Sequence, residues 1–326
     1  MRIAVIGAGA IGGTMAALLD RAGHQVTVVA RGENLAAIRD GGLRFDGAWG
    51  EHLARVRATE ALDSIPELAI VATKAQDAES AIAAQARFLG GIPVVVVQNG
   101  LEALDSARRA APRSDVIGAL ALYAASHLSP GVVTVTAAGA TYLGGPVLAT
   151  LYASKPIGAV MPVRLTDNFE GAQWTKLVVN HVNALPAITG LSVQQVVADR
   201  RLRHLLTRSM REAVRVAKAK GVVFETMSGL SDLALRLLLR LPVSFGQLLP
   251  AMMARRMGRT PNPGSTLQSI RRGQPTEIDY LNGAVVRIGA ELGVPTPVSS
   301  ALVELVHEVE SGSGFLDAET VIARAG

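Results

Sequence analysis

The stretch Gly7-Ala8-Gly9-Ala10-Ile11-Gly12 constrains this chain more than any other, because of what stands on either side of it. Arg2 to Ile6 is a short run of strand formers. Helix formers occupy Thr14 to Ala22, Gly23 ends them, and Gln25 to Val29 is a second apolar strand. Strand, glycine loop, helix and strand in this order open a doubly wound sheet with a dinucleotide site. The three glycines differ in what they permit. Gly7 allows the tight turn, Gly9 lets backbone approach a pyrophosphate, and Gly12 lets helix pack on strand. The helix start offers N–H groups and the positive end of its dipole to phosphates. Gly7, Ala8, Gly9, Ala10, Ile11 and Gly12 are therefore expected to cradle the cofactor. NAD-preferring sites usually carry Asp or Glu after the second strand, to accept from the ribose 2′-hydroxyl. Here that place is Ala30-Arg31. A guanidinium suits a 2′-phosphate that a carboxylate would repel, so the expected cofactor is NADP(H), with Arg31 on its phosphate. A solvated surface arginine is the plainer reading of Arg31. Glu33 lies past the strand end and ranks second as a ribose partner.

Composition excludes several classes. A chain of 326 residues can bury a large core and form two domains. A hydrophobic fraction of 49% rules out disorder. With no cysteine there is no disulfide, thiolate metal site or thiol nucleophile, which fits a reducing compartment. The first strand starts at residue 2, so no leader peptide is expected and a cytoplasmic protein is. The net charge of +5 is spread along the chain, which suits a small anionic substrate and not nucleic acid. Lysines are few beside the arginines: Lys74, Lys155, Lys176, Lys218 and Lys220. Each is a candidate for a role arginine cannot fill, because lysine can release a proton at accessible pH.

Further strands are expected at Leu43–Phe45, Leu53–Val56, Leu68–Ala72, Pro93–Val97, Val116–Tyr123, Val132–Thr136 and Ala140–Leu143, the last at an edge. Helices fall at about Asp77–Phe88 and Leu101–Ala110. Together they read as an α/β Rossmann-type doubly wound sheet with an antiparallel extension, over residues 1–167. Residues 168–326 read as an all-α domain. Its helices are expected at Asn168–Ala187, Val193–Asp199, Arg201–Lys220, Ser231–Leu239, Phe245–Met257, Ser265–Arg271, Glu277–Leu292 and Pro297–Glu310. The most apolar stretch, Leu230 to Met257, is interrupted by Arg236, Arg240, Pro242, Gln247 and Pro250 and is too broken to span a bilayer. Packing on the helical domain or a subunit contact is expected of it, with a membrane-surface helix as the lesser alternative. A homodimer is possible; no membrane partner and no metal are expected.

Ligands of open α/β sheets bind beyond the C-terminal strand ends. Two such ends are polar here, Thr73-Lys74 and Gln98-Asn99-Gly100. Lys74 and Asn99 are candidates for the cofactor, and Asn99 also for the substrate. Asn before Gly is equally a common turn pair. In the helical half, Lys176, Asn180 and Asn183 stand at i, i+4 and i+7 and share a helix face among apolar neighbours. Such a stripe is costly to bury without partners, so it reads as a substrate pocket or as a solvated face. Thr276 precedes Glu277 at an expected helix start, where a carboxylate is favoured; ordinary first-turn acids would look the same.

These motifs taken together, with Ser265, Trp174-x-Lys176-Leu177-x-x-Asn180 and Thr276-Glu277-Ile278-Asp279-Tyr280-x-Asn282-Gly283, resemble the 2-dehydropantoate 2-reductases, or ketopantoate reductases, over nearly the whole chain. The resemblance implies NADPH-dependent reduction of ketopantoate to pantoate, toward pantothenate and coenzyme A. It implies a Rossmann domain joined to a helical one, with the active site in the cleft. By motif, Lys176 corresponds to the general acid and Glu277 to the acid beside the substrate. Asn99, Asn180 and Ser265 correspond to substrate-binding positions. Two departures stand out. The second asparagine of the family's helix falls at Ala184 here, with Asn183 one place earlier, so that either a local helix irregularity brings Asn183 in or this contact differs. The usual Ser-Met-Leu-Gln-Asp stretch reads Ser265-Thr266-Leu267-Gln268-Ser269, without the acid. A paralogue reducing another branched 2-oxo acid and a non-catalytic NADP sensor are the alternatives.

Overall fold

The computed structural model describes residues 1–258 and 261–326. They form two compact units, Met1–Phe169 and Glu170–Gly326.

The strands of the first unit are β1 (Arg2–Ile6), β2 (Gln25–Val29), β3 (Leu43–Gly47), β4 (His52–Ala54), β5 (Arg57–Thr59), β6 (Leu68–Val71), β7 (Pro93–Val97), β8 (Asp115–Ala121), β9 (Ala124–Ser129), β10 (Val132–Ala137), β11 (Thr141–Gly144) and β12 (Val163–Leu165). Eight of them form one sheet in the order β12-β11-β8-β7-β6-β1-β2-β5. From β5 to β8 every pairing is parallel. Successive residues of β1 serve opposite faces: Ile3 and Val5 enter one core cluster, and Ala4 and Ile6 the other. A strand buried on both sides must be apolar throughout, which is why these runs show no polar alternation. Walking out from β1, the chain goes to β2 and β5 on one side and to β6, β7 and β8 on the other. That reversal of strand order is where dinucleotides bind in doubly wound sheets.

Three expected strands lie elsewhere than the sequence suggested. Leu43–Phe45, Leu53–Val56 and Val132–Thr136 do not extend the main sheet. They belong to a second sheet, β4-β3-β10-β9, in which β3 and β10 run parallel. The cause is the first helix, Ala10–Arg21. Met15, Ala16, Ala17, Leu18 and Leu19 are all fully buried, so this helix is apolar nearly all round and needs covering on two sides. Leu43, Phe45, Val133 and Val135 of the small sheet join its core cluster. Nor is β11 the edge, because β12 pairs outside it in parallel. The helices Gly32–Gly41 and Val147–Gly158 went unforeseen.

The second unit is helical, and an isolated bridge between Met227 and Leu230 is all the β-structure among its described residues. Three expected helices are broken. The first runs Phe169–Asn180, tightens to a 3-10 turn at His181–Asn183, and resumes at Ala184–Thr189. Pro186 accounts for this: it has no N–H for the carbonyl of Val182, and its ring displaces that carbonyl. The expected Phe245–Met257 helix is two, Val243–Gly246 and Leu248–Arg256. The expected helix from Glu277 is a three-residue 3-10 turn, Ile278–Tyr280, followed by the helix Asn282–Glu291. The apolar segment buries Leu235, Leu238, Met253 and Ala254 within the unit and leaves Leu233, Leu237, Phe245, Leu248 and Met252 exposed. No helix of the described residues is long and apolar enough to cross a membrane.

Candidate active site

The glycine loop is shaped by side chains it lacks. Gly7 has φ +97°, in the left-handed region, and a Cβ there would stand 2.9 Å from the backbone nitrogen of Thr73. A Cβ on Gly12 would lie 1.9 Å from the carbonyl oxygen of Gly7, so the helix can sit this close to β1 only with glycine at 12. A Cβ on Gly9 would meet nothing within 4 Å. That position faces open space, the reverse of Gly12. Gly9 is also the N-cap of the helix Ala10–Arg21, which has no side-chain cap and no acid in its first turn. Uncapped donors beside open space, free of negative side chains, are what a pyrophosphate requires.

The strand ends beyond β6 and β7 are tied together. Gln98, which is buried, donates from its amide to the carbonyls of Thr73 at 3.1 Å and Lys74 at 3.4 Å. Its Oε1 is buried without a hydrogen-bond partner. Asn99 and Lys74 flank this link and are both half-buried. Arg31 is exposed at the N-cap of the helix Gly32–Gly41, two residues past β2. The sequence reading missed Asn34. It donates to the carbonyl of Ala8 at 2.9 Å, and its Oδ1 accepts from Gly131 N–H at 2.8 Å and from His127 Nε2 at 3.0 Å. One amide thus braces the glycine loop against the small sheet. No local pattern marks it, because its partners are remote in sequence.

In the second unit Lys176 is half-buried on the helix Phe169–Asn180, one turn before its end. Burial lowers its pKa to about 8, while the negative charge of Glu277 pulls it back up. Lys176 and Glu277, separate motifs in the sequence, are therefore electrostatic neighbours. An ammonium that titrates near neutrality is a competent proton donor. The 3-10 turn at His181–Asn183 supplies the helix irregularity. With about three residues per turn, side chains at i and i+3 eclipse, and i to i+3 is the spacing of Asn180 and Asn183. Asn183 is buried, and its Oδ1 stands 2.5 Å from where a Cβ on Gly264 would be. It therefore packs at the start of the helix Gly264–Arg271, whose second residue is the exposed Ser265. Glu277 is half-buried just before the 3-10 turn.

A buried polar group behind this turn was also missed. His181 is fully buried; its Nδ1 lies 2.6 Å from Ser209 Oγ and 3.2 Å from Asn282 Nδ2. Burial lowers its pKa to about 3, so it is a neutral imidazole that accepts at Nδ1. Ser209 continues to Ser299, 3.3 Å away. Glu212 accepts from the N–H groups of Val298 and Ser299 and caps their helix from the side. The Lys-Asn-Asn edge is thus anchored to three other helices. A histidine within an apolar helical run was the one available signal.

Comparison with known proteins gives this arrangement a family. The model for "Ketopantoate reductase PanE/ApbA" matches residues 3–146, and that for "Ketopantoate reductase PanE/ApbA C terminal" matches residues 168–310. A 2-dehydropantoate 2-reductase of Mesorhizobium japonicum is 30% identical, over 95% of this chain and 98% of its own. The crystal structure of a PanE/ApbA family ketopantoate reductase from Ralstonia eutropha JMP134 superposes with a TM-score of 0.83 at 30% identity, over 95% and 99% of the two chains. A D-mandelate dehydrogenase, solved with NADH and anilino(oxo)acetate, shares the fold with a TM-score of 0.83 at 23% identity, over 95% and 99%. Matched through both units and along nearly its full length, this chain is an oxidoreductase and belongs to the ketopantoate reductase family.

Proposed function

We propose that the protein reduces 2-dehydropantoate to pantoate with NADPH, a step toward pantothenate and coenzyme A. The observation that carries the reading is Lys176 beside Glu277: burial brings the lysine down to about 8 while the carboxylate favours its charged form, which gives the family's reduction a proton donor. Residues 1–167 are assigned to the cofactor and 168–326 to the substrate and proton transfer. When bound, the dinucleotide supplies a hydride to C2 of the 2-oxo acid. Gly7 to Gly12 and the helix start behind them receive the pyrophosphate, and Arg31 the 2′-phosphate. Lys74 and Asn99 bind the cofactor from the neighbouring strand ends, and Asn99 also reaches the substrate.

As negative charge grows on the C2 oxygen, the Lys176 ammonium stabilises it and delivers a proton, leaving a neutral amine and a hydroxy acid. Glu277 holds the ammonium and accepts from a substrate hydroxyl. Asn180, Asn183 and Ser265 donate to the substrate's carboxylate and hydroxyl without adding charge. We place the protein in the cytoplasm, with a small anionic substrate as its partner.

The test is oxidation of NADPH and of NADH with a panel of 2-oxo acids that includes 2-dehydropantoate. Fast turnover of 2-dehydropantoate with NADPH alone is expected. The panel also tests the reading that a different branched 2-oxo acid is the substrate, which Asn183 and the missing acid at Ser269 favour. Binding of NADPH with no turnover of any member would instead support a sensor.

A further inference from the structure

The segment Thr276–Tyr280 carries Glu277, yet no regular element fixes it. The 3-10 turn Ile278–Tyr280 is three residues long, and Leu281, with φ −105° and ψ −97°, separates it from the helix Asn282–Glu291. Its hold comes from outside. Glu310 accepts from the Thr276 N–H through Oε1 at 2.6 Å, and its Oε2 lies 2.8 Å from Nδ1 of His307. Nε2 of His307 lies 3.0 Å from Oδ1 of Asp279. Both ring nitrogens face carboxylates, a demand met only by the doubly protonated imidazolium.

We propose that Glu310 and His307 are positioning residues for Glu277: with His307 protonated, the carboxylate–imidazolium–carboxylate bridge holds Thr276 and Asp279 on either side of Glu277 and so fixes that carboxylate for the reaction. The inference rests on the active-site role proposed above for Glu277.

Glu310 sits in the wide last turn that follows the helix Pro297–Glu308 and ends at Gly312, whose φ is +97°. Burial disfavours charge on His307, but hydrogen bonds and charge from Glu310 and Asp279 outweigh it and raise the pKa. Burial likewise opposes the charge on Glu310, and bonds from Thr276 and His307 outweigh it and hold its carboxyl below the usual range. Two further charged groups lie beside the bridge. Arg287, on the next helix, donates to the carbonyl of Asp279 at 2.8 Å, and Glu308 pairs with Arg324 at 2.7 Å. The His307 and Asp279 side chains are 45% and 54% exposed, so solvent protons reach the bridge, and Glu310 also lines a cavity of about 540 Å³ with Gln274, Pro275 and Phe315. Because the folded pKa of His307 is raised, the bridge is closed below it and opens as pH rises through it, above the ordinary 6.5.

The experiment is steady-state kinetics of the full chain with NADPH and 2-dehydropantoate, or the best 2-oxo acid of the panel, from about pH 6 to 9. In the wild type the KM for the oxo acid is expected to rise about three- to tenfold as His307 deprotonates. His307→Gln should show the high KM at every pH. His307→Arg, which keeps N–H donors and charge throughout, should show the low KM at every pH. Persistence of the wild-type KM limb in both variants overturns the proposal, as does an NMR titration that places the His307 ring below its ordinary pKa. A merely structural histidine would lower Tm and leave the limb in place. Glu277→Gln separates the two readings. If it leaves kinetics unaltered, the active-site assignment falls. If it damages turnover while the His307 variants keep the wild-type limb, the positioning role alone falls.

Discussion

The glycine loop of the first unit and the lysine site of the second are built by opposite means. The loop is backbone, shaped by missing side chains and braced by one asparagine. The lysine site is all side chain, set on short helices that break at His181–Asn183 and at Leu281 and are held by polar bonds. Bulk should therefore destroy the first and leave it folded or not according to position. Loss of charge or of a donor should disable the second. The contrast also teaches why one was easier to read: the loop's geometry is settled within a few residues, whereas the second site depends on partners such as His181 and Asn282, separated by 101 residues.

The largest expected effect breaks the second region. Lys176→Ala should lower turnover by at least about a hundredfold with little change in NADPH affinity, and Lys176→Arg should restore little. Near wild-type turnover in Lys176→Ala would end the catalytic assignment. In the wild type, kcat/KM should fall as pH rises through about 8, because the proton donor is lost there. Glu277→Gln should move that limb to lower pH, since the carboxylate raises the lysine pKa.

The next effect dissects the first region. Gly9→Val should weaken NADPH binding more than about a hundredfold with little change in Tm, because a Cβ there meets no protein atom within 4 Å and the side chain would fill the space proposed for the pyrophosphate. Gly12→Ala should instead unsettle the fold itself, by about 1–3 kcal/mol in chemical denaturation, since its Cβ would overlap the Gly7 carbonyl. If the two variants behaved alike, the division of labour between these glycines would be wrong. Arg31→Ala should cost about ten- to a hundredfold in NADPH affinity and little in NADH affinity. Equal losses in fluorescence titrations with the two cofactors would remove Arg31 from the phosphate. The smallest effect is that of Asn183→Ala, expected to raise the KM of the oxo acid about three- to tenfold with kcat nearly kept. An unchanged KM would mean that Asn183 only packs against Gly264.

The βαβ unit and the helical second half were legible because periodicity and glycine spacing encode them locally. The small sheet was not, because nothing within β3 or β10 says that the helix Ala10–Arg21 needs a second cover. The Lys176, Asn180 and Asn183 row was legible as spacing, and its 3-10 turn could have been read from Pro186. Glu277 was legible as a residue but misplaced on a helix start, for the sequence does not reveal the unusual backbone at Leu281. Asn34, His307 and Glu310 act through distant partners and left no local trace.

Arg31 stands on extended backbone, φ −138° and ψ 162°, a conformation open to almost any residue, and it lies outside the Asn34 brace. With Arg31 in the role proposed for it, cofactor preference is a detachable trait. A lineage or an engineer could exchange it at one exposed position without disturbing the loop, the core or the proton donor.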